Sequence, residues 1–268
     1  MSTIVISGIE ISVELSDEGG APVVQLHGLS SSRGRDRVLN MDLGRGLSGT
    51  RLLRYDTRGH GASGGRTSPG DYRWPVLADD LLQLLDKVFP GEPVHGVGPS
   101  MGAATLLHAA VREPERFRGL TLMVPPTAWA TRRAQAENYR RSAELIEAHG
   151  VHRFLAAARS APSPAAVADP QGMPEIAEHL IPSVYRGAGR SDLPDPATIA
   201  GLDLPVTILA WVDDPGHPLS TAQTLAHLLP QAVLHIARTA ADVATWPGIL
   251  SEDVARSAAL PSPHSSQR

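Results

Sequence analysis

Five residues, Gly98-Pro99-Ser100-Met101-Gly102, have the types and spacing that let a serine act as a nucleophile. They follow an apolar run from Val94 and precede a stretch rich in Ala and Leu. A strand, a sharp turn and a helix are therefore expected in that order. Glycine on each side suits a turn where backbones come too close for side chains. The helix aims its first N–H groups at whatever the serine attacks. A serine hydroxyl is a weak nucleophile until a base takes its proton, and an attacked carbonyl oxygen needs N–H donors facing it. Ser100 is thus the candidate nucleophile of an acyl transfer. The candidate donors are the N–H of Met101, beside it, and the N–H of Leu29, after the His27-Gly28 turn. Asp213-Asp214 follow the apolar run that ends at Val212 and supply a carboxylate to orient a base.

These residues need a sheet whose strand ends lie together. Thr3 to Ser7 and Ile9 to Leu15 alternate apolar and polar residues, and Gly8 turns between them, so an antiparallel pair is expected. Pro22 to Leu26, Arg51 to Tyr55, the run into Ser100, Leu120 to Val124, Val206 to Val212 and Ala232 to Ala237 read as buried strands. Helical patterns separate them: a weak one from Arg35 to Leu47, then Trp74 to Val88, Met101 to about Arg112, Thr221 to Leu229 and Asp242 to Ala259. Alternating strands and helices imply a mostly parallel central sheet with helices on both faces, an α/β fold. Ligands bind beyond the carboxyl ends of such strands.

Residues 126–204 break the rhythm. Helical stretches (Thr127 to His149, His152 to Arg159, Pro174 to Tyr185) alternate with Pro/Ala/Gly-rich linkers (Ser160 to Pro174, Gly187 to Pro196). The expected organisation is a core domain of 1–125 and 205–260, a helical cap over 126–204 and a disordered tail over 261–268. Trp129 and Trp211 flank the expected pocket. His27, Gly28 and Trp129 are the candidate substrate-contacting residues.

Composition narrows the function. The chain has 268 residues, 42% of them hydrophobic, and a net charge of −4, which favours neither nucleic acid nor an anionic membrane as partner. No cysteine is present, so disulfide and thiol chemistry are excluded. The histidines do not fall at metal-ligand spacing and no phosphate-binding glycine motif occurs, so no metal and no cofactor is expected. No basic region followed by a long apolar run opens the chain, and no apolar stretch is long enough to cross a membrane. A cytoplasmic location is expected. The arginine pairs Arg132-Arg133 and Arg140-Arg141 are expected on a solvated helix face, and Asp79-Asp80 as charge at a helix start.

The motifs His27-Gly28, Asp56-Thr57-Arg58-Gly59-His60-Gly61-Ala62-Ser63, Gly98-Pro99-Ser100-Met101-Gly102 and Asp213-Asp214-Pro215-Gly216-His217-Pro218 occur in an order that resembles the α/β-hydrolase superfamily. The likeness is to its capped esterase, lactonase and enol-lactonase branch. It implies Ser100 as nucleophile and places the acid at Asp214, with Asp213 as the alternative. It also implies a histidine just after the last strand, and this chain has none there: Ala237 is followed by Arg238-Thr239-Ala240-Ala241-Asp242. His217, three residues past Asp214, is the first candidate base. His235 within the last strand, His27, or no histidine at all are the alternatives. The expected activity is a serine hydrolase acting on a small ester, lactone or thioester through an acyl-enzyme on Ser100. The alternative is a cyclase, lyase, isomerase or non-catalytic ligand-binding relative with an incomplete triad. The expected partner is a small acyl substrate, and the sequence leaves room for a homodimer.

Overall fold

In the computed structural model, which describes residues 2–158 and 173–259, the alternating N-terminal run forms the antiparallel pair β1 (Ser2–Ile6) and β2 (Ile9–Asp17). Continuous apolar runs then form β3 (Ala21–Gln25), β4 (Thr50–Tyr55), β5 (Val94–Pro99), β6 (Phe117–Met123), β7 (Val206–Trp211) and β8 (Ala232–Ala237). The sheet order is β1-β2-β4-β3-β5-β6-β7-β8. β2 pairs antiparallel with β4, and the pairings from β4 to β8 are parallel. The chain leaves β3 towards β4 and leaves β5 towards β6, which lie on opposite sides. The strand order therefore reverses between β3 and β5, and a crevice opens beyond their carboxyl ends. The segments that begin at Leu26 and at Ser100 border that crevice.

The helices are α1 (Arg33–Val38), α2 (Trp74–Val88), α3 (Met101–Arg112), α4 (Arg132–His149), α5 (Val151–Ala158), α6 (Ile181–Gly189), α7 (Pro196–Ala200), α8 (Leu219–Leu228), α9 (Ala240–Val243) and α10 (Trp246–Ala259). Adjacent strand residues point to opposite faces, so both faces are apolar. Val24, Leu53, Leu77, Leu81 and Leu106 join one core with α2, α3 and α8. Val23, Leu52, Val97, Trp246 and Leu250 join a second core beneath α10. A third cluster, with Tyr72, Ile146, Ile181, Val184 and Tyr185, holds α4 and α6 together between β6 and β7. No helix among the described residues is long and apolar enough to cross a membrane.

Several local expectations change. Pro174 to Ala177 is not helical: Ile176 bridges His60, and Glu175 hydrogen-bonds through its N–H to Ser30 O (3.0 Å) and through its O to Gly61 N–H (2.7 Å). Two neighbouring backbones satisfy this segment, and α6 forms only beyond them. α7 lies just past the expected linker, where Asp195 caps it by accepting from Ala197 N–H. The expected linker is helical as far as Gly189. Residues 159–172 of the other expected linker and the expected tail lie outside the described residues.

Asp79 and Asp80 are not at a helix start, because α2 begins at Trp74. Asp80 is buried, and both its oxygens accept from the buried Arg58 guanidinium. The pair fastens α2 to the turn that follows β4. Removing one partner of a buried ion pair leaves an uncompensated charge. Asp80→Ala should lower the unfolding free energy by about 3–5 kcal/mol, read from the midpoint of urea denaturation.

Candidate active site

β5 runs straight into the serine turn. Ser100 sits at φ +51° and ψ −109°, a conformation that L-residues rarely adopt and that costs energy to hold. Its N–H donates to Met123 O (2.9 Å), and its carbonyl accepts from Ala104 N–H (3.0 Å) at the start of α3. Glycine is required on both sides. A Cβ on Gly98 would lie 3.0 Å from Leu26 Cβ and 3.3 Å from the Gly102 backbone, and one on Gly102 would lie 2.9 Å from Leu26 Cβ. The segment after β3 thus packs directly against the turn. A Cβ on Gly28 would lie 3.8 Å from Ser100 Cβ, so Gly28 is beside the nucleophile candidate. Among the described residues, neither Leu29 N–H nor Met101 N–H donates to another group.

β7 ends at Trp211, and the chain turns at Asp213, which has φ +61°. Asp214 and His217 then form a tight turn, with His217 N–H donating to Asp214 O (3.2 Å). The Asp214 carboxylate collects donors. Oδ1 accepts from Gly216 N–H (2.8 Å) and His217 N–H (3.3 Å), and Oδ2 accepts from Trp211 Nε1–H (2.8 Å). Nδ1 of His217 is 2.8 Å from Oδ2, and Nε2 is 2.8 Å from Ser100 Oγ. An ionised carboxylate only accepts, so Nδ1 carries the proton and Nε2 is left to accept from the serine hydroxyl. The Trp211 ring meets His217 edge-on (centroids 6.0 Å, 85°) and stacks on Trp246 behind it. Thr127 N–H donates to Gly216 O (3.1 Å) and ties this turn to the segment after β6.

The other candidate bases lie elsewhere. His235 is inside β8, in register with Leu209. Arg238 to Asp242 contains no histidine, and Asp242 caps α9 by accepting from the Arg238 and Thr239 N–H groups. Asp213, the alternative acid, makes no hydrogen bond through its carboxylate among the described residues. His27 does not turn towards the crevice. Its side chain is 1% exposed, with Nδ1 on Gly28 O (2.8 Å) and Nε2 accepting from Thr57 N–H (2.9 Å). The imidazole braces the turn, and burial lowers its pKa. His60 packs beside it, with Nδ1 on Arg58 O (3.0 Å), and burial first and His27 second push its pKa down to about 3.

Trp129 is half-buried against the core of α2 and α3. Its backbone N–H donates to the Asp192 carboxylate (2.9 Å) and its indole N–H to Pro194 O (3.1 Å). Arg132 is corrected outright. It is not on a solvated face but 4% exposed, donating to Ser191 O and Thr127 Oγ1, with its guanidinium 4.2 Å over the Trp74 ring. Arg140 and Arg141 are exposed and pair with Glu137 along α4, as expected of a solvated face. An open cleft of about 670 Å³ follows that face, lined by Arg133, Arg140, Arg141, Arg186 and Arg190 but by none of Ser100, Asp214 or His217. Among the described residues, no cluster of His, Asp and Glu could hold a metal ion.

A family model described as the alpha/beta hydrolase fold matches residues 21–144. The 3-oxoadipate enol-lactonase 2 of Acinetobacter baylyi is 30% identical over 196 residues, 69% of this chain and 69% of that protein. The chain belongs to the α/β-hydrolase family. Among solved structures, an enol-lactonase from Burkholderia xenovorans superposes with a TM-score of 0.75 at 19% identity, over 96% of this chain and 99% of the other. A hydrolase from Pseudomonas aeruginosa does so with a TM-score of 0.75 at 23% identity, over 97% and 98%. At these identities the two likenesses concern the fold.

The charge state of Asp214 has a consequence for stability. Burial alone would raise its pKa. The hydrogen bond and charge of His217, together with the Trp211 and Gly216 donors, outweigh burial and hold it at about 2. A carboxyl depressed below its unfolded value, about 4, stabilises the fold above that value and loses the contribution as pH falls towards the folded value. Asp214→Asn should therefore be less stable than wild type at neutral pH. Chemical denaturation at stepped pH should show the difference shrinking between about pH 4 and pH 2.

Proposed function

We propose that this chain is a serine hydrolase acting on a small ester, lactone or thioester. The observation that carries the reading is the placement of His217 between Asp214 Oδ2 and Ser100 Oγ, 2.8 Å from each. Ser100 Oγ attacks the substrate carbonyl carbon while His217 Nε2 takes the hydroxyl proton. Asp214 stays ionised and stabilises the imidazolium that forms. The N–H groups of Leu29 and Met101 face the developing oxyanion from the two sides of the crevice. His217 then returns the proton to the leaving oxygen or sulfur, and an acyl-enzyme remains on Ser100. In a lactone the leaving hydroxyl stays attached to the acyl chain. Water, deprotonated by the same histidine, releases the acid. The enol-lactonase names among the relatives support a lactone or ester over other acyl donors.

Residues 126–204 act in this reading as a cap over the crevice. Support comes from the backbone bonds that join Glu175 to Ser30 and Gly61 on one side and Thr127 to Gly216 on the other. The ground for a non-hydrolytic reaction was a serine with no base. That ground does not apply to a serine whose hydroxyl lies 2.8 Å from an imidazole nitrogen.

Ser100→Ala should abolish turnover of p-nitrophenyl acetate and butyrate and prevent labelling by a fluorophosphonate. His217→Ala should lower kcat on the order of 10⁴-fold or more, as loss of a triad member does. His235→Ala should stay within about twofold of wild type, an effect too small for a residue of the transition state. Retained activity in Ser100→Ala would remove the serine as nucleophile, and retained activity in His217→Ala or collapse in His235→Ala would place the base elsewhere.

A further inference from the structure

The segment after β3 holds three consecutive serines, and each hydroxyl has a different anchor. Ser32 Oγ accepts from Arg35 N–H and caps α1. Ser31 Oγ donates to Asp36, within the same turn and helix. Ser30 is the exception, because its partners come from between β6 and β7. Its hydroxyl shares a hydrogen bond of 3.1 Å with the Tyr185 hydroxyl on α6, and its carbonyl accepts from Glu175 N–H.

Ser30 also carries the strain of this segment. It sits at φ +64°, a conformation a serine does not keep without support. Ser30 and Leu29 are the two central residues of a turn closed by Ser31 N–H on Gly28 O (3.2 Å), and the Leu29 N–H shares its peptide plane with that carbonyl, so the shape of the turn fixes where the N–H points. Tyr185 is itself held fast. It is 7% exposed, stacked on Tyr139 (centroids 5.8 Å, 15°) and tilted against Phe154 (5.8 Å). Burial pushes its phenol up to about 12, so it remains a neutral hydroxyl that can give or accept the bond. The Leu29 side chain packs against both the core under α2 and α3 and the cluster that contains Tyr185.

We infer that Tyr185 is a positioning residue: through Ser30 it fixes the turn whose Leu29 N–H receives the oxyanion. The inference rests on the hydrolase reading above. It makes oxyanion stabilisation depend on how α6 is seated, although α6 contributes no atom to the reaction. A small rotation of the turn would misdirect one donor, and removing a donor from such a hole costs about 10²–10³ in rate. Loss of the Tyr185 bond costs less, because Glu175 and the Leu29 packing still hold the turn.

The test uses the full chain as wild type, Tyr185→Phe, Ser30→Ala and the double variant. Tyr185→Phe removes one oxygen and keeps the stacked ring. The readouts are kcat and KM on p-nitrophenyl acetate, the rate at which a fluorophosphonate captures Ser100, and the melting temperature. Tyr185→Phe should lower kcat and the capture rate together by about fivefold, the net worth of one hydrogen bond. KM should stay within about twofold, and the pH profile should not move, because the Asp214–His217 pair is untouched. Ser30→Ala should match it, and the double variant should be no slower than either single, as expected of two residues that share one interaction. If Tyr185→Phe does not fold, Ser30→Ala breaks the same bond from the other side and carries the comparison. Active wild type with unchanged variants, additive effects in the double variant, or a raised KM with unchanged kcat would each overturn the positioning role alone. Wild type that neither turns over nor is captured would overturn the hydrolase reading, and this inference with it.

Discussion

Gly98 and Gly102 leave no room for a Cβ where Leu26 crosses the serine turn, and the rest of the site depends on that contact. That closeness lets the segment after β3 lie against the serine turn and sets Gly28 beside Ser100. The reversal of strand order between β3 and β5 supplies the crevice. The absent Cβ atoms supply the closeness. His27 acts in the same sense from behind, since its ring ties Gly28 O to Thr57 N–H across the sheet end. The strain at Ser100 is sustained because α3, β6 and the segment after β3 all hold it.

The candidate acid and the candidate base share one turn. Asp214 and His217 are three residues apart, so their mutual geometry is set by local hydrogen bonds to Gly216 and His217 N–H, not by two separately folded loops. Trp211 adds an indole donor from the last residue of β7 and a wall behind the imidazole. The end of β8 carries no histidine. Its strand is an edge with Val233 and Ile236 exposed, and its following residues are occupied in capping α9.

Much of this was legible in the chain itself, for reasons that differ between elements. α2 spans the stretch its periodicity predicts, and its face of Leu77, Leu81, Leu84 and Leu85 is buried. A long amphipathic helix declares itself by spacing alone. The serine turn was legible because its glycines answer a steric demand that no other residue meets. The Asp214–His217 turn was legible only as a set of candidates, since nothing local says which histidine reaches Ser100 across the crevice. Arg132 was misread because its spacing fits a solvated face, while its burial is decided by Trp74 and Ser191, both far away in sequence. Tyr185 gave no signal, since its meaning depends on a hydroxyl 155 positions earlier. The strand-like path of Glu175 and Ile176 was missed for the same reason: its partners are Ser30, His60 and Gly61.

The shared turn also bears on how such a site is inherited. When acid and base stand on separate loops, each loop must be preserved independently, and damage to one leaves the other behind. Here a single short peptide, 213–218, carries the candidate acid and the candidate base, bounded by β7 on one side and α8 on the other. One loop exchange would remove or deliver Asp214 and His217 together, while the Trp211 and Thr127 donors that hold the turn stay with the flanking segments.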